Sequence, residues 1–277
     1  MKLILTSALF LVTSCTTVPR DELSGYLDSF RSAQAAATPI IAEYSVAERN
    51  DRRGKLRSSD RFASGYFDTF EVSDAPAVTS IGMPPAAEQL DRAMRSIASY
   101  NETLVYLAEN KNIDEARAQL KSITDNLAGL PIGITPLGPA ANALATALAP
   151  AIQQRNKREF RAIVLNGHPQ VVKLIEAMRD YTPNQFDAIT APLRRRADRA
   201  APEARQEIRD KINKWHALFG DYVVLLNAMQ KKLDSLHEVA LHPRREALLV
   251  RADRSAAELR VYADSLQRAI VELHAGQ

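Results

Sequence analysis

IRDKINKWHALFGDYVVLLNAMQKKLDSLHEVA, residues 208–240, decides the fold. Its large apolar side chains fall at Ile208, Ile212, Trp215, Phe219, Tyr222, Leu226, Met229, Leu233, Leu236 and Ala240. The steps alternate between four and three without a break. A strand repeats every two residues and a helix every 3.6, so this spacing is helical. Held over many turns, it is a heptad seam, which predicts a left-handed crossing against neighbouring helices. The helix is expected to open at Ala201-Pro202, because proline fits the first turn, and to stop before His242-Pro243. Some forty residues in one helix make a rod of about 60 Å.

Downstream, Ala252, Ala256, Leu259, Ala263, Leu266, Ile270 and Leu273 repeat the rhythm with smaller residues, which allow close approach of a bulkier partner. Residues 202–275 therefore read as a long antiparallel helical hairpin turning near His242-Pro243. Upstream, Pro84-Pro85 open a helix with Leu90, Met94, Ile97, Leu104 and Ala108 on one side. Asn101 takes the remaining seam position, either as a buried amide that fixes register or as a solvated one at a bundle end. Asn112 and Glu115 resemble a capping box before the stripe Ile113, Ala116, Leu120, Ile123 and Leu127, which Gly129 and Pro131 end. Asn166-Gly167 and His168-Pro169 mark another stop and start. Thr182-Pro183 predicts a kink or restart before Phe186, Ile189 and Leu193. A first helix carries Leu23, Leu27, Phe30, Ala37, Ile41 and Tyr44, disturbed by Gln34 and Pro39. The predicted class is all-α: an elongated multi-helix bundle with long antiparallel helices and coiled-coil-like heptad packing. It forms one domain over residues 23–277.

Two stretches break the pattern. Residues 50–84 are the longest non-periodic insert, in which NDRRGKLRSSDR reads as loop. Within it Phe62, Tyr66, Phe67 and Phe70 fall at helical offsets. They either cap one end of the bundle or form an exposed contact for a membrane or partner. The other is 126–154, NLAGLPIGITPLGPAANALATALAPAIQQ, which holds no charged residue. Its prolines argue against one spanning helix. It reads as a buried turn followed by an Ala-rich helix over about 140–152. The alternative is membrane insertion through residues such as Leu144 and Leu148. The layout resembles the apolar tip of helical pore-forming toxins.

The N-terminus supplies an address. MKLILTSALFLVTSC has one positive residue, Lys2, then an uncharged apolar run from Leu3 to Val12 that is too short to span a bilayer. Val12, Thr13 and Ser14 precede Cys15, the chain's single cysteine. This segment resembles a bacterial lipoprotein signal with its lipobox. The resemblance covers residues 1–15. It implies removal of 1–14, a diacylglycerol thioether on Cys15 and an acyl group on the new amino terminus. By the sorting pattern of two-membrane bacteria, Thr16 implies the outer membrane, with the body facing the periplasm. Several acyl chains give stable anchoring where one gives only marginal binding. Residues 15–22 leave a tether so short that the folded body sits against the lipid: Thr16 to Arg20 span at most about 18 Å.

Composition narrows the function classes. Thirty-six Lys+Arg against 33 Asp+Glu give +3, a near balance that does not point to nucleic acid. With Cys15 acylated there is no disulfide, cysteine metal site or thiol nucleophile. HEVALH at 237–242 places its histidines five apart, so they do not share a helix face as a zinc-binding HExxH pair does. His168 and His242 precede prolines at helix boundaries, where capping or exposure is the ordinary reading. His216, beside Trp215, reads as a helix-surface residue. No nucleophile elbow or phosphate loop is present, and no carboxylate pair is selected by spacing. Arg194, Arg195, Arg196 and Arg199 form the densest basic cluster. They read as a solvated face paired with nearby acids, or as a contact for anionic headgroups or cell-wall polymer. The expectation is a lipid-anchored envelope protein with no cofactor beyond the lipid. It would act as a non-enzymatic binding or scaffold component for an envelope protein or polymer. The alternative is a membrane-active protein inserting 126–154.

Overall fold

The computed structural model describes residues 20–57, 72, 75, 79, 81–109, 113–130, 133–242 and 246–275, with 20–24, 55–57, 246–253 and 255 described by backbone only. The leader 1–14, Cys15, the aromatic set Phe62, Tyr66, Phe67 and Phe70, and the expected cap Asn112 lie outside the described residues. The chain is all-helical, with no strand among the described residues. In order the helices are α1 (Arg20–Arg57), α2 (Pro85–Ala108), α3 (Ile113–Leu127), α4 (Leu137–Gln153), α5 (Lys157–Asn166), α6 (His168–Asp180), α7 (Thr182–Arg199), α8 (Pro202–Leu241) and α9 (Glu246–Ala275).

α8 begins and ends where its prolines predict. Nine of the ten seam residues are buried and Ile212 is half-buried. The buried face is wider than the seam, because Leu218, Leu225, Lys232 and Val239 join it at intervals of seven. These occupy the heptad position next to the seam, which gives α8 the broad stripe of a helix touching several partners. It packs most extensively on α9 and also meets α7, α2, α6 and α1. The described seam residues of α9, from Ala256 to Leu273, are all buried.

α1 runs unbroken through Pro39 to Arg57, into the stretch expected to be irregular from residue 50. An interior proline costs a helix about 3 kcal/mol. Burial of Ala33, Ala36, Ala37, Ile40 and Ile41 around it, against α9 and α2, offsets that cost. The far part of α1 is also held by polar contacts. Arg49 donates to Gly82 O at 2.8 Å. Glu48 accepts from the Ala86 and Ala87 amides at 3.2 and 2.9 Å. Pro84 has no side chain to cap α2, so a carboxylate from α1 satisfies its first free N–H groups. Arg52 braces that carboxylate at 3.0 Å.

α2 buries every residue predicted for its seam, Asn101 included. In α4 the buried line is Leu137, Ala141, Leu144, Leu148 and Ala151, with small residues outward. α4 packs chiefly on α6 and α3. Among the described residues no helix is long and apolar enough to cross a membrane. The restart at Thr182 separates α6 from α7, and there Tyr181 and Tyr44 share a hydroxyl hydrogen bond of 2.7 Å. In α7 the expected stripe is displaced: Phe186, Ile189 and Leu193 are half-buried, whereas Gln185 and Thr190 are fully buried.

Candidate functional site

A groove of about 550 Å³ opens where the C-terminal half of α7, the first half of α8 and the end of α9 meet. Leu193, Ile208 and Leu273 give it an apolar lining. Arg196, Lys211 and Lys214 bring three cations, and Glu207 and Asp210 two acids. Helix geometry explains the arrangement. Lys211 and Lys214 are one turn apart on α8, and Ile208 is one turn before Lys211. Arg196 stands in the last turn of α7, where a cation also complements the helix dipole. Arg205 closes the α7 end by donating to Ala197 O and Ala200 O, at 3.3 and 3.2 Å. Beside the groove His274 joins α9 to α1. Its Nε2 meets Glu43 Oε1 and its Nδ1 meets Ile270 O, both at 2.9 Å. Both partners are acceptors, so only the imidazolium satisfies both, and the hydrogen bond to Glu43 raises the pKa of this ring.

The structure divides the arginine cluster. Arg194 folds back onto Asp187 at 2.8 Å. Arg195, Arg196 and Arg199 are exposed, and of the four only Arg196 lines the groove. Leu144 and Leu148 are buried in the core, so as folded here neither presents a contact surface.

A second polar centre crosses the core beside α8. His168 and His237 stack face to face, with ring centroids 4.1 Å apart and planes 6° apart. Tyr100 lies over His168 at 6.0 Å and donates to Val164 O at 3.1 Å. His168 Nε2 donates to Asp234 Oδ1 at 2.9 Å, and His237 Nε2 donates to Leu165 O at 3.1 Å. Nδ1 of His168 is buried without a partner among the described residues. Burial, followed by the charge His168 would carry, holds the pKa of His237 below its ordinary value. Further round α8, Lys232 is fully buried. Its ammonium donates to Ser29 Oγ and sits 4.0 Å from the centre of the Tyr26 ring, whose hydroxyl donates to Lys232 O. Burial, with the Asp234 charge, drives the Tyr26 phenol well above its ordinary pKa. It remains a neutral donor.

No group of three or more histidines, cysteines or carboxylates among the described residues forms a metal site. Of the other histidines, His216 packs edge-on to Phe186 and His242 ends α8 in the open. Two features escape the spacing analysis. Lys232 interrupts an apolar series at 218, 225 and 239, and that gap is the signal for its burial. The pairing of His168 with His237 leaves no local trace, because it depends on how α6 lies on α8.

No family model, curated protein or solved structure matches this chain.

Proposed function

We propose that this chain is a lipid-anchored envelope protein. It is tethered at the outer membrane through Cys15 and faces the periplasm, as a non-enzymatic binding component. In this reading α8 and α9 form the long antiparallel hairpin of an elongated bundle. The buried seam on both helices and their broad mutual contact support coiled-coil packing.

The groove carries the binding role. Its volume lies in the range of small-molecule sites, and it sets an apolar lining beside cations. That chemistry suits a single-chain amphiphile with an anionic head, the tail on Leu193, Ile208 and Leu273 and the carboxylate or phosphate at Arg196, Lys211 and Lys214. Glu207 and Asp210 disfavour a flat, highly anionic surface, which favours one headgroup over a polymer. The polar centres beside α8 serve the fold: both lack the open cleft that substrate chemistry needs.

Calorimetric titration of the unlipidated mature protein with oleate and with dodecyl phosphate, each below its micelle concentration, tests this reading. Saturable one-to-one binding, weakened at least tenfold in Arg196→Glu/Lys211→Glu, is expected. Absence of saturable binding, or binding that the double variant leaves intact, overturns it. A preference between the two probes identifies the headgroup.

A further inference from the structure

Gly167 joins α5 to α6 and directly precedes His168. Its backbone is pressed on α4: a Cβ built there would stand 2.6 Å from Leu148 Cδ2. The corner that buries Leu148 is therefore fastened to α8 by the adjoining ring, through the His168–His237 stack and the His168–Asp234 hydrogen bond. Beneath it lies α4, drawn from a segment with no charged residue.

We propose that the His168–His237 stack is an acid-sensitive latch, whose double protonation parts the two rings, frees the α5–α6 corner from α8 and uncovers Leu144 and Leu148. The geometry allows one positive charge far more readily than two. Among the described residues Asp234 is the carboxylate hydrogen-bonded to the pair, through His168; its charge also attracts a proton to His237, but less than burial and the His168 charge oppose it. With Nε2 bonded to Asp234, the other ring nitrogen of His168, Nδ1, has no acceptor among the described residues. A second imidazolium would lie 4.1 Å away, face on. Other charges at this junction do not compensate. Glu238, next to His237 on α8, attracts its proton but makes no contact with the ring that outweighs burial. Tyr100 on α2 is buried as a neutral phenol. Arg161 on α5 is engaged with Leu107 O and Ala240 O. Lys232 on α8 and Tyr26 on α1 lie beyond Asp234, where Lys232 meets Ser29. α4 brings no titratable group.

Linkage fixes the sign. His237 takes up a proton more readily once released, so opening grows as pH falls below the ordinary imidazole value. The rise is at most about tenfold per pH unit for each extra proton bound. Amide hydrogen exchange of the full-length mature protein at pH 7.5 and at pH 5, corrected for intrinsic exchange, reads the opening. Peptides of α4, α5 and α6 should open about tenfold more often at the lower pH, while α1 and α9 keep their protection. His237→Gln retains an N–H for Leu165 O and cannot charge, so its acid response should fall below about twofold. Equal acid responses in both proteins, or loss of protection spread evenly over all helices, would overturn the latch. Imidazole titration of the unmodified protein by NMR gives a check independent of any variant. Titration of the His237 ring below the ordinary imidazole value is expected, and an unperturbed His237 titration would contradict it.

Discussion

Replacing Gly167 by alanine sets two effects of known sign against each other. Gly167 has φ −74° and ψ −15°, ordinary helical values that alanine adopts freely. Helix propensity alone would make Gly167→Ala stabilising by about 1 kcal/mol. The new methyl, however, would stand 2.6 Å from Leu148 Cδ2 and 3.2 Å from Val164 O. Leu148 is fully buried, so it must shift against a packed core. Such overpacking costs about 1–3 kcal/mol. The variant should lose about 1 kcal/mol net. Leu148→Ala removes the obstacle and leaves a cavity, at a cost of about 2–5 kcal/mol. In that background the alanine at 167 fills part of the void, and its effect should turn neutral or favourable. The predicted coupling between the two sites is at least about 1 kcal/mol. Urea unfolding followed by far-UV circular dichroism measures it, using midpoints at unchanged slope. A stabilising Gly167→Ala in the parent protein, or the same effect in both backgrounds, would refute the close approach of α4 to the α5–α6 corner.

Three further outcomes follow from other contacts. Glu48→Ala should cost about 1–3 kcal/mol in the same assay, because two buried α2 amides lose their charged acceptor. Exchange should also speed up first at the start of α2, and a neutral result would remove the capping role. Gln185 is fully buried and neither amide atom has a partner among the described residues. Gln185→Met should therefore be neutral or stabilise by about 1 kcal/mol, whereas a clear loss would reveal a bridging water or an unseen bond. His274 titrates in the opposite sense to His237. Its folded pKa is raised, so its contact with Glu43 stabilises fully below about pH 6.5, and that contribution fades as pH rises through the folded value. Glu43→Gln should flatten this dependence, and an unchanged pH profile would rule out the link between α9 and α1.

Most of the helical skeleton is legible in the sequence because its signals are local. The three-and-four spacing of 208–240, Pro202 at one end and His242-Pro243 at the other define α8 without reference to any partner. The alanines of α9 and the stripes of α2 and α3 are legible for the same reason. Failures begin where a residue answers to a neighbour distant in sequence. Pro39, itself half-buried, sits inside α1 because the residues around it are buried where α1 packs on α9 and α2. The polar run after residue 50 starts as helix because Glu48 and Arg49 are engaged at the entry to α2. Gln185 and Thr190, not Phe186 and Ile189, face inward on α7, which lies between α1 and α8 and is not oriented by its own apolar stripe. The groove is similarly illegible. Arg196 stands out as one of a basic cluster, yet its companions Lys211, Lys214 and Leu273 come from two other helices. Cys15 is the opposite case: its proposed acylation rests on a short motif and needs no fold.

That this helical body is held at a membrane through Cys15 is tested most directly by mass spectrometry of the N-terminal peptide from the protein as made in its own cell. The predicted result is a chain beginning at Cys15 whose mass carries a diacylglycerol and an amide-linked acyl group. An N-terminus at Met1, or a chain cleaved nearby with a free thiol at Cys15, would contradict it.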